Sequence, residues 1–302
     1  MIVIPSYDVS FFSKTKLIMK KNIETFIGCD AEYDESKVVL FGAPFDSTTS
    51  YRPGARFGSA AIRHESYGLE TYSPYLDRDL EDICVFDSGD IELPMGSSEM
   101  ALAAISERTA EILNDGKIPF MIGGEHLVTL GAFREVAKRY PDVHIIHMDA
   151  HADLRHDYLD VQLSHACVLR RCHDIIGDGR IHQYGIRSGE RAEWIFSREG
   201  HTEMHPFDLA PLTSLSKPLT NSPVYLTVDL DVMDPSIFSG TGTPEAGGVS
   251  FNELREAIHR VCMFHNIVGL DINELAPTLD ISGASTAVAC KIVREMLLSL
   301  YK

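Results

Sequence analysis

The chain has 302 residues, 44% of them hydrophobic, enough to bury one large core or two small ones. Its 27 Lys and Arg stand against 44 Asp and Glu, a net charge of −17, so it lacks the basic balance of a nucleic-acid binder; the acidic excess suits a cationic small molecule or plain solubility. No apolar run approaches the roughly 18 residues of a membrane span, and the six cysteines, with no Cys-x-x-Cys pair, read as buried thiols of a cytoplasmic protein rather than as a disulfide or zinc framework.

Residues 1–36 are irregular and read as an N-terminal arm on a single domain spanning 1–302. Around Phe11-Phe12-Ser13-Lys14-Thr15-Lys16 they carry neither the apolar stretch nor the small-residue cleavage site of a signal peptide. From there the pattern predicts a strand at 38–42, a helix at 59–69, a strand at 83–86 and a helix at 98–114. A strand at 118–122, a helix at 126–139, a strand at 143–148 and a helix at 164–174 follow. The last third reads as strand 181–186, helix 190–199, strands 202–205 and 224–228, helix 250–264, strand 267–271 and helix 284–301. Segments such as Val143-His144-Ile145-Ile146-His147-Met148 show little polar alternation, as burial on both faces requires. Strands separated by helix-length segments imply right-handed crossovers and a parallel sheet covered by helices. Such a sheet binds its ligands beyond the carboxyl ends of its strands.

Three groups fall at that edge. Gly123-Gly124-Glu125-His126 follows the strand ending at Ile122, with glycines that permit a tight turn. Asp149-Ala150-His151-Ala152-Asp153 follows Met148; in extended chain the alternate side chains share a face, and the alanines between them crowd nothing. Asp229-Leu230-Asp231 follows Val228. Unpaired, these carboxylates repel one another and are costly to bury. Two divalent cations balance the four aspartates, and His126 and His151 complete a set of six ligands. Carboxylate-rich ligation with one imidazole per ion suits Mn²⁺ better than Zn²⁺ or Mg²⁺. The Asp-Ala-His-Ala-Asp run is the specific signal, whereas Asp229-Leu230-Asp231 or His126 alone is weak. The other histidines, among them His144, His173, His182, His201 and His205, read as surface or packing residues, and His147, two positions ahead of the run, is read with them.

These stretches, together with Thr227-Val228-Asp229-Leu230-Asp231-Val232-Met233-Asp234-Pro235 and Gly269-Leu270-Asp271-Ile272-Asn273-Glu274, resemble the ureohydrolase family of arginases, agmatinases and formimidoylglutamases. The resemblance runs from about residue 37 to the C-terminus. It implies a three-layer α/β/α sandwich around a mainly parallel sheet of about eight strands, and a centre of two Mn²⁺ ions. His126 and Asp153 would then bind one ion, His151 and Asp231 the other, with Asp149 and Asp229 bridging. It further implies a hydroxide between the ions, made available because metal binding lowers the pKa of water, that attacks the guanidinium carbon. In that scheme Asp153 carries the hydroxide's proton, His165 in Leu163-Ser164-His165-Ala166 shuttles protons to the leaving amine, and Glu274 grips the guanidinium by paired hydrogen bonds. Homo-oligomers, trimers or hexamers, are common in the family.

Within the family, Pro44-Phe45-Asp46, Arg52-Pro53-Gly54-Ala55-Arg56-Phe57-Gly58 and Ala60-Ala61-Ile62-Arg63 are similar to the agmatinase branch, although Ser59 stands where that branch often has proline. The resemblance thus implies a small guanidino substrate, agmatine, split to putrescine and urea, with arginine and 4-guanidinobutyrate as alternatives. Arginases usually carry Asn two residues beyond the last acid of the run; here Arg155 holds that position. It is expected to turn outward onto a surface acid such as Asp157 or Asp160 rather than inward onto a substrate carboxylate. Two rival classes are a deacetylase-like amide hydrolase, against which Glu274 and the paired ligand groups argue, and a non-catalytic scaffold, against which the complete residue set argues.

Overall fold

Val38-Val39-Leu40-Phe41 is a run of large apolar side chains with no polar alternation, and all of it is buried in strand β1 (Val38–Gly42). The computed structural model describes residues 19–301, and the first 18 residues of the expected arm lie outside them. The remaining strands of the main sheet are β4 (Val85–Asp90), β5 (Ile118–Ile122), β6 (His144–Met148), β7 (Ile181–Ile186), β8 (Glu203–Pro206), β9 (Val224–Asp229) and β10 (Ile267–Asn273). A short hairpin, β2 (Tyr72–Ser73) with β3 (Arg78–Asp79), stands apart. The eight strands pair in parallel throughout, in the order β4-β1-β5-β10-β9-β6-β7-β8. This is the parallel sheet of about eight strands that the sequence implies.

Helices cover both faces. On one side lie α1 (Gly58–Ser66), α7 (Phe251–Phe264) and α8 (Ala284–Leu300), which pack on one another over a core that includes Leu40, Ile122, Leu226 and Leu270. On the other lie α2 (Ser98–Asn114), α3 (Val128–Arg139) and α4 (Val168–Ile176), over Val39, Phe41, Met121 and Ile145. The smaller α5 (Arg191–Arg198) and the single turn α6 (Ala210–Thr213) flank β7 and β8 in sequence. Local chemistry fixes the helix starts: Ser97 Oγ accepts from the Met100 N–H before α2, and Ser250 and Glu253 form a reciprocal capping box before α7.

Two boundaries differ most from the sequence reading. The predicted helix at 164–174 opens as a 3₁₀ turn, His165–Cys167, and becomes α-helical only from Val168. Strand β4 runs on to Asp90, although the apolar run stops at Phe86. Its acids are accommodated because Arg63 of α1 is buried against them. The guanidinium donates to Asp87 at 2.9–3.1 Å and also to Asp90. Asp87 also accepts the backbone N–H groups of Phe26 and Gly89, both at 2.9 Å, and so anchors the 19–36 segment to the sheet edge. Asp87 is therefore a fully buried carboxylate held from several sides. We expect Asp87→Ala, which leaves the buried Arg63 with Asp90 alone and frees the Phe26 and Gly89 N–H groups, to cost about 3–5 kcal/mol of stability, read as a lower denaturant midpoint at unchanged slope.

Candidate metal centre

Strands β5 and β6 are consecutive in this half of the sheet but are separated in space by β10 and β9. The four carboxyl ends therefore lie side by side at a reversal of chain direction across the sheet, where such folds open a crevice. Gly123 and Gly124 let the chain leave β5 sharply. A Cβ on Gly124 would lie 2.0 Å from the Phe45 carbonyl oxygen, and one on Gly123 would lie 1.8 Å from Asn273 Oδ1. Glu125 is then locked under the loop that follows β1, accepting the Thr48 N–H at 2.8 Å and the Thr48 hydroxyl at 2.5 Å. The ring of the next residue, His126, faces the acids.

His126 Nδ1 is 3.0 Å from Asp149 Oδ2, 3.1 Å from Asp153 Oδ2 and 3.5 Å from Asp229 Oδ2. His151 Nδ1 is 3.0 Å from Asp231 Oδ2 and 3.5 Å from Asp149 Oδ1. The structure thus gathers all six predicted residues, with Asp149 turning one oxygen to each histidine. Asp229 stands on the His126 side, its Oδ1 accepting the Asp231 N–H at 2.9 Å. Asp153 does not reach the group by simple alternation: its backbone is left-handed, φ 53°, and this turn folds the carboxylate back toward His126. Arg187 clamps the loop beyond Asp231, donating to the Asp231 carbonyl and the Glu245 carbonyl, both at 2.8 Å.

The donor set fits cations. His126 Nδ1 is buried and makes no hydrogen bond, because it points between the carboxylate oxygens rather than at one of them. Burial opposes charging of His126 and His151, yet the surrounding aspartates push both well above the ordinary histidine range. Burial, then neighbouring acids, drive Asp229 and Glu274 well above the usual carboxylate range; burial lifts Asp153 to about 7. Ionised acids without counter-charge are unfavourable here, and positive charge placed among them removes the conflict.

Glu274 is also left-handed, φ 68°, and its Oε1 accepts the His126 backbone N–H at 2.8 Å. His165 lies on its 3₁₀ turn with Nε2 3.1 Å from Ser50 Oγ, while its N–H donates to Thr48 Oγ1 at 3.0 Å. Burial pushes the His165 ring down to about 4, so it is neutral at pH 7. A cavity of 280 Å³ opens on the group, walled by His151, Asp153, His165 and Thr243, with Arg155 and Glu190 at its side. Arg155 pairs with Glu190, not with Asp157 or Asp160, and lies over the Tyr158 ring at 5.1 Å from its centroid. Glu190 caps α5, so it sits on the loop leaving β7 and reaches the cavity wall that Asp157, turned to His156, does not supply.

Several contributing residues escaped the sequence reading. His147 is not a packing residue: its Nε2 lies 2.8 Å from Asp149 Oδ2, and Gln183 Nε2 donates to its Nδ1 at 3.1 Å. The signal was the alternation itself, since His147 is one step earlier on the face that carries Asp149. Thr227 and Asp271, register partners on β9 and β10, form a second support. The Thr227 hydroxyl accepts from His126 Nε2 at 2.9 Å and donates to Asp271 Oδ1 at 2.6 Å. Asp271 also accepts from Tyr225 and Asn273. Polar residues inside otherwise apolar strands were the available signal.

A three-layer parallel α/β fold with paired histidine–carboxylate groups at its carboxyl edge is the architecture of a metal-dependent hydrolase class, and residues 36–299 match the arginase family. An agmatinase of Bacillus anthracis is 46% identical over 281 residues, 92% of this chain and 97% of the relative. A solved chain from Clostridium difficile is 50% identical with a TM-score of 0.86, covering 89% of this chain and 98% of that one. The agmatine ureohydrolase of Thermoplasma volcanium is 32% identical with a TM-score of 0.84, covering 92% and 94%. The chain belongs to the arginase family. Within it, its enzyme class is that of the agmatinase-type ureohydrolases.

Thr227→Val keeps the shape but leaves the His126 Nε2 proton without a partner in a buried site and removes one of the two donors to Asp271 Oδ1, which keeps Asn273. We expect a loss of about 1–3 kcal/mol in denaturant unfolding of the metal-free protein; an unchanged midpoint would show that the hydroxyl is not the link between His126 and Asp271.

Proposed function

We propose that this enzyme hydrolyses agmatine to putrescine and urea, using two Mn²⁺ ions held by His126, Asp149, His151, Asp153, Asp229 and Asp231. The observation that carries the reading is Asp149, which faces His126 with one oxygen and His151 with the other beside an acid-lined cavity. When bound, the ions supply Lewis acidity that makes water an effective nucleophile near neutral pH. The chain's own residues do the rest. Glu274 has one oxygen fixed by the His126 N–H and offers the other to the guanidinium, orienting it by charge-assisted hydrogen bonding. Asp153 takes the proton left on the attacking oxygen and passes it to the nitrogen that departs. His165, neutral and positioned by Ser50 and Thr48, takes up a proton from solvent and hands it to the released amine, which leaves as the ammonium. His147 and Thr227 hold Asp149 and His126 in place from behind, as outer partners of metal ligands do.

The metals are then essential to activity and not to the bare fold, since the proposed ligands lie at strand ends outside the apolar core. Chelation is expected to abolish urea release with far-UV circular dichroism largely native, and Mn²⁺ to restore it. Full activity in metal-free enzyme would sink the two-metal reading.

Substrate choice rests on the far end of the cavity, because agmatine and arginine share the guanidinium. The cation on the wall, Arg155, is already neutralised by Glu190, so arginine's carboxylate finds no unpaired positive partner there. Desolvating it without compensation easily exceeds the roughly 2.7 kcal/mol that a hundredfold preference needs. The alternative, a guanidino acid, is favoured by one observation only: Arg155 does line the cavity. The expected kcat/KM ratio of agmatine over arginine is at least about a hundred under equal Mn²⁺ activation. Parity, or a preference for arginine, would overturn the agmatine assignment, and Arg155→Ala should then lose the arginine activity selectively.

A further inference from the structure

The opposite, amino-terminal edge of the sheet carries another set of ligand-type side chains. His173 lies in the last turn of α4, Asp178 on the turn that leads into β7, and His201 just before β8. His173 Nε2 and His201 Nδ1 each lie 2.7 Å from the same atom, Asp178 Oδ1. Their ligand atoms all fall within 4.8 Å of one another.

The backbone builds this convergence. Asp178 stands between Gly177 and Gly179, both left-handed, with φ 78° and 73°. The Gly177 N–H donates to the His173 carbonyl at 2.7 Å, and the Gly179 N–H donates to the His201 carbonyl at 3.2 Å. Each histidine is thus tied to a neighbour of the aspartate. Phe196 of α5 then fixes both rings without using their nitrogens: its centroid is 4.9 Å from His173, edge-on, and 4.3 Å from His201, nearly parallel. His173 Nδ1 is buried with no hydrogen-bond partner, so Nε2 is that ring's outlet to a polar group. Asp178 is exposed, which leaves a solvent side to the cluster.

Two imidazoles aimed at one carboxylate oxygen need a proton on each contacting nitrogen. A single borderline divalent cation replaces both protons and meets two nitrogens and an oxygen, with water free to complete a tetrahedron. We propose that His173, Asp178 and His201 form a further metal site, suited to Zn²⁺ or a similar transition ion and separate from the carboxylate-rich centre. The two lie at opposite ends of strands such as β7, whose six residues span roughly 20 Å. An ion there pins the end of α4 and the turn before β7 to the segment entering β8, the strand at the sheet's outer edge.

The test uses the Mn²⁺-loaded enzyme, equilibrated with Zn²⁺ at micromolar free concentration, with bound zinc counted per chain by elemental analysis. His201→Gln and Asp178→Asn serve as two independent variants, so misfolding of one leaves the other. Exchange of Zn²⁺ into the carboxylate-rich centre is common to all three proteins and cancels in the difference. The wild type should hold one more Zn²⁺ per chain than either variant, with affinity at this site at least tenfold weaker in the variants. Urea release by the Mn²⁺-loaded variants before zinc is added should match the wild type. Equal zinc counts in wild type and both variants would overturn the proposal.

Discussion

Charge balance governs this molecule. Four aspartates, with Glu274 close by, are buried at one edge of a sheet whose strands are mostly apolar, where little of them is open to solvent. Such a cluster stays ionised only if something positive sits inside it, and the neighbouring elements are arranged so that it can. The glycine turn after β5 brings a histidine against the acids. The left-handed turn at Asp153 folds the chain back instead of letting it run on, and Arg187 holds the loop after β9 by its carbonyls. The two outer networks, Thr202-Gln183-His147 behind Asp149 and Asp271-Thr227 behind His126, set the direction of the groups that face the ions in the proposed centre.

The loop after β1 couples two parts of the site. Thr48 binds Glu125 through its N–H and hydroxyl, and its Oγ1 also accepts the His165 N–H. Ser50, two residues on, meets the His165 ring. One three-residue stretch thereby fixes the turn that carries His126 and the turn that carries His165, which come from opposite halves of the chain. Disturbing this loop shifts both at once, so effects of mutations in it are expected to be non-additive with those at His165.

Much of this was legible in the sequence, for identifiable reasons. Buried parallel strands leave apolar runs of the right length, and polar residues packed just past those runs stand out; that is how Asp149, His151, Asp153, Asp229, Asp231 and His126 were found. What was not legible depends on contacts distant in sequence. The extension of β4 through Asp87 to Asp90 rests on Arg63, whose burial no local pattern announces. Arg155 pairs with a residue 35 positions away in preference to the acids beside it. His147 and Thr227 lie within strands, where a polar side chain interrupts the apolar pattern and is easily discounted; each finds a partner on the neighbouring strand.

Asp153 and Glu274 both hold a backbone conformation that costs a side-chain-bearing residue of order 1–3 kcal/mol and that glycine adopts freely. At these two positions evolution for robustness and evolution for turnover pull in opposite directions. A chain drifting toward higher melting temperature would trade both acids for glycine, and under the proposed mechanism the protein that resulted would be sturdier and inert.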